Sequence, residues 1–232
     1  MKAYLTVEET KKLEQAATCL RDRLLIRVLR CSGCRVSEAL SLKVRDVDFE
    51  RSTITIEHLK YHIKLSCPRC NAGLGRGAVF CPKCGASVDN VIAREQRHRH
   101  VRTLPLDDDT LEMLHEYISE LSKQGTESNY AERKVFGINR HRAWQIVRCC
   151  ALAARLDNLV NPETGKVRGT SPHRLRDAFA VHAMKTDDSG DGLRLLQEHL
   201  GHASFNTTAR YRKVAGEEHR AWYRKLWRIT DT

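Results

Sequence analysis

Apolar residues recur along this chain in two different rhythms. Near the start, Thr6-Val7-Glu8-Glu9 has the capping-box arrangement that opens a helix, and the pattern predicts a helix running to about Cys19. RDRLLIRVLRC, residues 21–31, is strongly apolar on one side and predicts a buried helix. Gly33 interrupts it, and a helix resumes over 36–42. The period then shortens. Residues 44–49 and 52–58 read as two strands around the turn Glu50-Arg51, and HVRTLPL, residues 100–106, alternates like a third. From Asp107 onward helices dominate, over 109–123, 139–156, 172–185, 193–200, 206–214 and 217–227, with 187–192 as a loop. No internal repeat or low-complexity tract is present. The order of helices, small antiparallel sheet and more helices predicts an α+β fold, mainly α.

A cysteine-rich segment lies between the second and third strands. Cys67 and Cys70 form one C-x2-C pair, and Cys81 and Cys84 form another after ten intervening residues. Two thiolates at i and i+3 can bind one ion from a tight turn, and two such turns complete a tetrahedral S4 shell that favours Zn²⁺. All four positions are thiols, so no coordination position is left for water. The site is therefore expected to be structural rather than catalytic. Two disulfides or a redox pair are the weaker alternatives. The segment, residues 61–99, reads as an inserted ribbon within a hairpin of a larger domain spanning 1–232. Cys31 and Cys34 lack a second pair and are expected in the core. Cys19, Cys149 and Cys150 are expected at core or boundary positions.

Charge narrows the partner. The formal net charge is +11, and basic residues cluster in REQRHRHVR (94–102) and over 210–228. Such clustering suits a polyanion, nucleic acid being the commonest, although a solvated basic surface would look the same. No apolar run approaches the ~20 residues of a membrane span, and the charged, amphipathic start is unlike a secretory signal. A cytoplasmic, DNA-associated protein is expected.

Three separated stretches carry the chemistry: GCRVSEALSL (33–42), SPHRLRDAFAVHAM (171–184) and LGHASFNTTARYRKV (200–214). They hold two arginines, Arg35 and Arg176, two histidines, His173 and His202, and Tyr211 nine residues beyond His202. No pair of carboxylates is placed to hold Mg²⁺. Guanidinium groups can fork onto non-bridging phosphate oxygens and hold the charge of a pentacoordinate transition state. A phenol can attack phosphorus and keep the bond energy in a covalent ester. Its ordinary pKa near 10 requires cations and a base nearby. Each residue alone has a plainer reading. Arg35 could be a surface charge, His182 and Tyr211 packed residues, and Asp177 the holder of a local salt bridge.

Taken in order, these stretches resemble the tyrosine recombinase, or phage integrase, family. GCRVSEALSLKVRDVDF resembles its G-x-R-x-x-E box with the following strand, HRLRDAFAVHA its H-x-x-R box, and LGHASFNTTARY its LGH…TT…Y box. The resemblance covers residues 21–214 apart from the zinc segment. It implies a helical bundle with a small three-stranded antiparallel sheet, to which the zinc ribbon is added. It also implies site-specific cleavage and rejoining of double-stranded DNA through a 3′-phosphotyrosyl intermediate, without ATP or catalytic Mg²⁺. Arg35 and Arg176 would clamp the scissile phosphate. His173 would hydrogen-bond it and could accept the tyrosine proton. His202 would donate to a non-bridging oxygen, and Tyr211 would attack. Glu38 resembles the family's structural acid. The hairpin lysine that serves as general acid matches Lys60 by position, with Lys64 second.

Members of the family work as tetramers on two duplexes and are often monomeric when free. They usually carry an N-terminal DNA-binding domain, for which no room remains before Arg35, so either the protein lacks it or this chain is a catalytic fragment. Arg94, Arg97, Arg99 and Arg102, with Arg69, Arg76 and Lys83 of the ribbon, could then grip phosphates and partly replace it; the plainer reading is that the ribbon only staples a long hairpin. The tail over 216–227, with Trp222, Tyr223 and Trp227, would dock onto a neighbouring subunit or fold back on its own domain. Two other functions stay open. A type IB topoisomerase-like enzyme shares the chemistry, and a non-catalytic zinc-ribbon DNA-binding protein would need no Tyr211.

Overall fold

In a computed structural model, residues 2–75, 78–88, 92–123, 130–161, 164–202 and 204–211 are described, and the side chains of 58–64 and 92–100 are not. The expected tail helix over 217–227, and Arg76, fall outside the described residues. In chain order the elements are α1 (Val7–Gln15), α2 (Leu20–Ser32), α3 (Val36–Ser41), β1 (Val47–Asp48), β2 (Thr53–Ser66), β3 (Gly73–Leu74) and β4 (Ile92–Pro105). They continue with α4 (Asp108–Lys123), α5 (Arg140–Ala153), β5 (Leu159–Val160), β6 (Val167–Arg168), α6 (Pro172–Thr186), α7 (Gly190–Leu200) and α8 (Phe205–Ala209). The chain forms two compact units, Met1–Ile56 with Arg102–Thr232, and Glu57–Val101.

The larger unit is organised around α2. Leu24, Leu25, Ile26, Val28 and Leu29 are all fully buried, and the helix packs on α1, α4 and α6. The start of α1 and the end of α2 have local causes. Thr6 and Glu9 close the capping box of α1 reciprocally, the Thr6 oxygen accepting from the Glu9 N–H and the Glu9 carboxylate accepting from the Thr6 N–H. Gly33 ends α2 in the left-handed region, at φ +57°. A Cβ there would also lie 2.5 Å from the Phe179 ring of α6, so glycine is needed for the turn and for the helix contact. A second apolar cluster joins α6, α7 and the segment after α8 through Ala180, Met184, Leu196, Leu200 and Tyr211.

The sheet orders β1-β2-β3, and β4 also pairs with β2. β1 and β2 are antiparallel, with Val47 opposite Ile54, and β3 returns against the far end of β2, with Leu74 opposite Leu65. The second and third expected strands are much longer than the alternation suggests. β2 continues to Ser66, and β4 begins at Ile92. Apolar alternation reports burial of one face, whereas pairing of backbone groups makes a strand with any side chains, including the charged run 94–102. A further short hairpin, β5–β6, turns at Asn161, whose side-chain oxygen accepts from the Thr164 N–H at 3.0 Å. α7 begins at Gly190, three residues before the expected Leu193, because the Ser189 oxygen caps it by accepting from the Gly192 N–H.

Candidate active site and metal centre

The larger unit gathers the arginines at helix ends. Arg35 is the residue before α3, and its backbone N–H donates to Glu38 Oε2 at 2.7 Å while its Nη1 donates to Glu38 Oε1 at 3.0 Å. Glu38 Oε2 also accepts from Arg102 Nη2 at 2.6 Å. The Glu38 carboxylate is buried, and burial alone would raise its pKa. The Arg35 N–H and the Arg102 guanidinium outweigh that cost and hold it below the usual carboxylate value. Arg102, expected to contact DNA, is thus committed to Glu38, with only 14% of its side chain exposed.

Arg176 is almost wholly buried on α6. It donates through Nη1 to the Gly33 carbonyl at 2.8 Å and through Nη2 to the Leu200 carbonyl at 2.7 Å. Those carbonyls belong to the C-terminal ends of α2 and α7, where intrahelical donors run out and the helix dipole is negative. One guanidinium therefore ties two helix ends together and keeps donors to spare for an anion. Burial, followed by the Arg35 charge, pulls its pKa down to about 10, so it stays protonated at neutral pH. A cavity of about 360 Å³ opens here, lined by Arg35, Arg140, Trp144, His173 and Arg176 among others. A neighbouring cleft of about 620 Å³ shares Trp144 and His173 and adds Arg148, Arg168, Arg174 and Arg210. Arg140, Trp144 and Arg148 recur every fourth residue along α5, so they share one face of that helix.

His202 follows Gly201, which ends α7 in the left-handed conformation at φ +64°. Its Nδ1 lies 2.8 Å from Thr208 Oγ1, and its ring stacks 6.4 Å from that of Tyr211. Burial, followed by the charges of Arg176 and Arg35, pulls its pKa down to about 4. The imidazole is neutral at physiological pH, and a hydrogen bond from Thr208 to Nδ1 would leave the proton on Nε2.

Tyr211 is buried at the end of this segment, 3% exposed. Its hydroxyl donates to Asp177 Oδ1 at 2.8 Å and accepts from Arg210 Nη2 at 2.8 Å. Burial and the Asp177 charge push its pKa up to about 12. His173 is the most exposed of the set, with Nε2 3.8 Å from Asp177 Oδ1. Asp177 does hold the expected local salt bridge, to Arg174 Nη1 at 3.2 Å. It also accepts the hydrogen bond of the Tyr211 hydroxyl, at 2.8 Å. The available signal was spacing: His173 and Asp177 are four residues apart on one helix face. His182, Cys34 and Cys150 lie outside this hydrogen-bonded set; both thiols are buried as expected, whereas Cys31 is half-buried and Cys19 and Cys149, expected at core or boundary positions, are exposed.

In the smaller unit Cys67, Cys70, Cys81 and Cys84 converge, with all Sγ atoms within 4.8 Å of one another. The Cys67–Cys84 and Cys70–Cys81 sulfur separations are 3.7 and 3.5 Å. A tetrahedron with Zn–S bonds of about 2.3 Å has edges near 3.8 Å, so the four thiols fit one zinc ion. The two turns repeat one another. Cys67 and Cys81 carbonyls accept from the N–H of Asn71 and Gly85, and their own N–H groups donate to Ala72 and Ala86 carbonyls. Asn71 and Gly85 both take positive φ, 57° and 66°. These turns aim backbone N–H groups at sulfur, as in the Lys83 N–H to Cys81 Sγ contact at 3.4 Å. Backbone N–H donors hold the Cys67 and Cys81 thiols below their ordinary pKa, Cys81 at about 6, while hydrogen bonds from Cys84, Cys81 and Cys67 help push Cys70 up to about 12, so in the metal-free chain the cluster shares its protons unevenly. Lys60 and Lys64 lie on β2, and Arg94, Arg97 and Arg99 on β4, all within the segments whose side chains are not described. Among the described residues no helix is long and apolar enough to cross a membrane.

Comparison with known proteins bears on both sites. The phage integrase family profile matches residues 3–71 and 83–218, and a zinc-ribbon domain profile matches residues 66–88. The tyrosine recombinase XerD of Neisseria meningitidis serogroup B is 28% identical over 201 residues, covering 84% of this chain and 51% of that protein. The chain thus spans about half the length of such relatives. In fold it is similar to the crystal structure of XerA recombinase, with a TM-score of 0.63 at 22% identity, covering 98% of this chain and 64% of the other. It is also similar to the XerH site-specific recombinase bound to its difH substrate after cleavage, with a TM-score of 0.59 at 21% identity, covering 95% and 52%. The chain belongs to the phage integrase family.

Proposed function

We propose that this chain is the strand-transfer part of a site-specific DNA recombinase, acting through a covalent 3′-phosphotyrosyl intermediate. The observation that carries the reading is the convergence, in one compact unit, of the hydrogen-bonded Tyr211 hydroxyl with His202 stacked beside it and the Arg35–Arg176 cavity. Xer-type relatives and a neighbour solved on its DNA substrate support double-stranded DNA as the partner. Arg35 and Arg176 hold the scissile phosphate, His173 and His202 donate to its oxygens, and Tyr211 attacks phosphorus. The departing 5′ oxygen takes its proton from Lys60, with Lys64 as the second choice. A 5′ hydroxyl from a partner strand then reverses the step, and four copies act together on two duplexes. The thiolates of Cys67, Cys70, Cys81 and Cys84 hold a structural zinc ion, which organises the ribbon around them. Arg94, Arg97 and Arg99 bind phosphates flanking the cleavage point.

A duplex nicked near its cleavage site traps the intermediate, because the short cleaved strand diffuses away. The wild type should form a covalent protein–DNA adduct and Tyr211→Phe none. A wild type that binds DNA but never forms an adduct would leave only a binding function. Strand exchange between two duplexes separates a recombinase from an enzyme that only relaxes DNA.

A further inference from the structure

We infer that Asp177, rather than His173, accepts the proton of the attacking Tyr211. The inference rests on the strand-transfer reading above and adds to it the base that starts the reaction.

Donor and acceptor chemistry sets the direction of the tyrosine proton. The phenol oxygen has two close polar neighbours in the structure, Asp177 Oδ1 and Arg210 Nη2, each at 2.8 Å. A guanidinium has no acceptor, and an ionised carboxylate has no donor. The single phenolic hydrogen therefore lies toward Asp177, while Arg210 donates to the phenol oxygen. This is the geometry a general base requires, within about 2.6–3.2 Å of the proton it removes. The carboxylate is held for that task. Asp177 is 3% exposed, and its second oxygen is fixed by Arg174 Nη1 at 3.2 Å. His173 makes no hydrogen bond to the phenol among the described residues; its Nε2 lies 3.8 Å from Asp177 Oδ1, the carboxylate oxygen that faces the phenol. The charged or titratable groups facing Asp177 are thus His173 and Arg174 from α6, and Arg210 and Tyr211 from the segment after α8.

The step balances. The Tyr211 O–H bond breaks and its proton moves to Asp177 Oδ1. The electron pair left on the phenol oxygen forms the O–P bond as the P–O5′ bond breaks, and the 5′ oxygen departs with a proton from the general acid. Negative charge passes from the carboxylate to the phenol oxygen beside Arg210, and the net charge of the Asp177–Tyr211 pair changes only as the phosphorus bond forms. In the reverse reaction Asp177 returns the proton to the phenol.

The test uses nicked DNA with sulfur in place of the bridging 5′ oxygen, since a thiolate leaves without protonation and the general acid drops out. With the wild type, adduct formation should vary little between about pH 6 and 9. Asp177→Asn should be slower by about 100-fold or more at neutral pH and should recover about tenfold per pH unit as hydroxide takes over. An Asp177→Asn protein that cleaves as fast as the wild type, or is slowed equally at every pH, overturns the assignment. Asp177→Glu retains a carboxylate and covers the case in which the amide variant does not fold. It should keep the shallow wild-type pH profile at a reduced rate, and a hydroxide-dependent slope in that variant would equally refute the role. A wild type that forms no adduct on this DNA defeats the strand-transfer reading itself, a different result from loss of the Asp177 effect.

Discussion

Replacing Glu38 by alanine should be among the most damaging single changes outside the apolar core. Its carboxylate is 1% exposed and serves three donors: the Arg35 N–H, Arg35 Nη1 and Arg102 Nη2. Arg102 is only 14% exposed and would lose its carboxylate, and stripping one member from a buried pair costs about 3–5 kcal/mol. Arg35 is 31% exposed and keeps access to water, so its lost pairing adds about 0–1 kcal/mol. The abandoned N–H at the start of α3 adds about 1 kcal/mol. Arg102 can move part-way toward water, so the lower end applies, and a net loss of about 4 kcal/mol is expected. At roughly 2–4 °C per kcal/mol for a chain of this size, Tm should fall by about 8–16 °C. Urea titration followed by circular dichroism measures the loss directly, with an unchanged slope if the unfolded state is unaltered. The double variant Glu38→Ala/Arg102→Met should recover much of the stability, because it removes the stranded charge. A single-variant cost below about 1 kcal/mol, or a double variant less stable than the single, would refute this account of Glu38.

Other expectations are more quickly stated. The ribbon should bind one zinc ion per chain by elemental analysis, and Cys67→Ser should abolish it. Stripping the metal should speed amide exchange over 66–88 and spare the amides of α2; a zinc-free protein with unchanged exchange there would contradict the site. The His202 pKa lies at about 4 in the folded chain, below its ordinary 6.5. Its contribution to stability is therefore complete above about pH 6.5 and is lost as pH falls through about 4. His202→Gln should flatten the melting temperature over that window, and an unchanged acid slope would show that the imidazole is not buried neutral. Neutralising Arg94, Arg97 and Arg99 together should weaken DNA binding and reduce the slope of log K against log salt by about 2.7. Unchanged affinity and slope would remove those residues from the DNA contact.

The sequence carries the chemistry more openly than the framework that holds it. Arg35, Arg176, His202 and Tyr211 lie in three compact motifs, and the cysteine spacing alone specifies a tetrahedral sulfur site. Their supports are harder to read. Arg102 sits in a basic run that suggests phosphate contacts, and only the fold brings it to Glu38, 64 residues away. Asp177 looks like any helix-surface acid until Tyr211, 34 residues on, packs against α6. The lengths of β2 and β4 were hidden for another reason. They depend on backbone pairing with each other, and charged stretches carry no apolar period to report it. Helix ends fared better, because the cap of α1 and the left-handed glycine after α2 are local in origin.

The central claim is that Tyr211 becomes covalently attached to DNA. Protease digestion of the adduct trapped on nicked DNA, followed by mass spectrometry of the DNA-linked peptide, tests it most directly. One modified residue is expected, Tyr211, joined to the 3′ phosphate of the cleaved strand, with a free 5′ hydroxyl on the released fragment. Attachment at another residue, or through a 5′ phosphate, would contradict it.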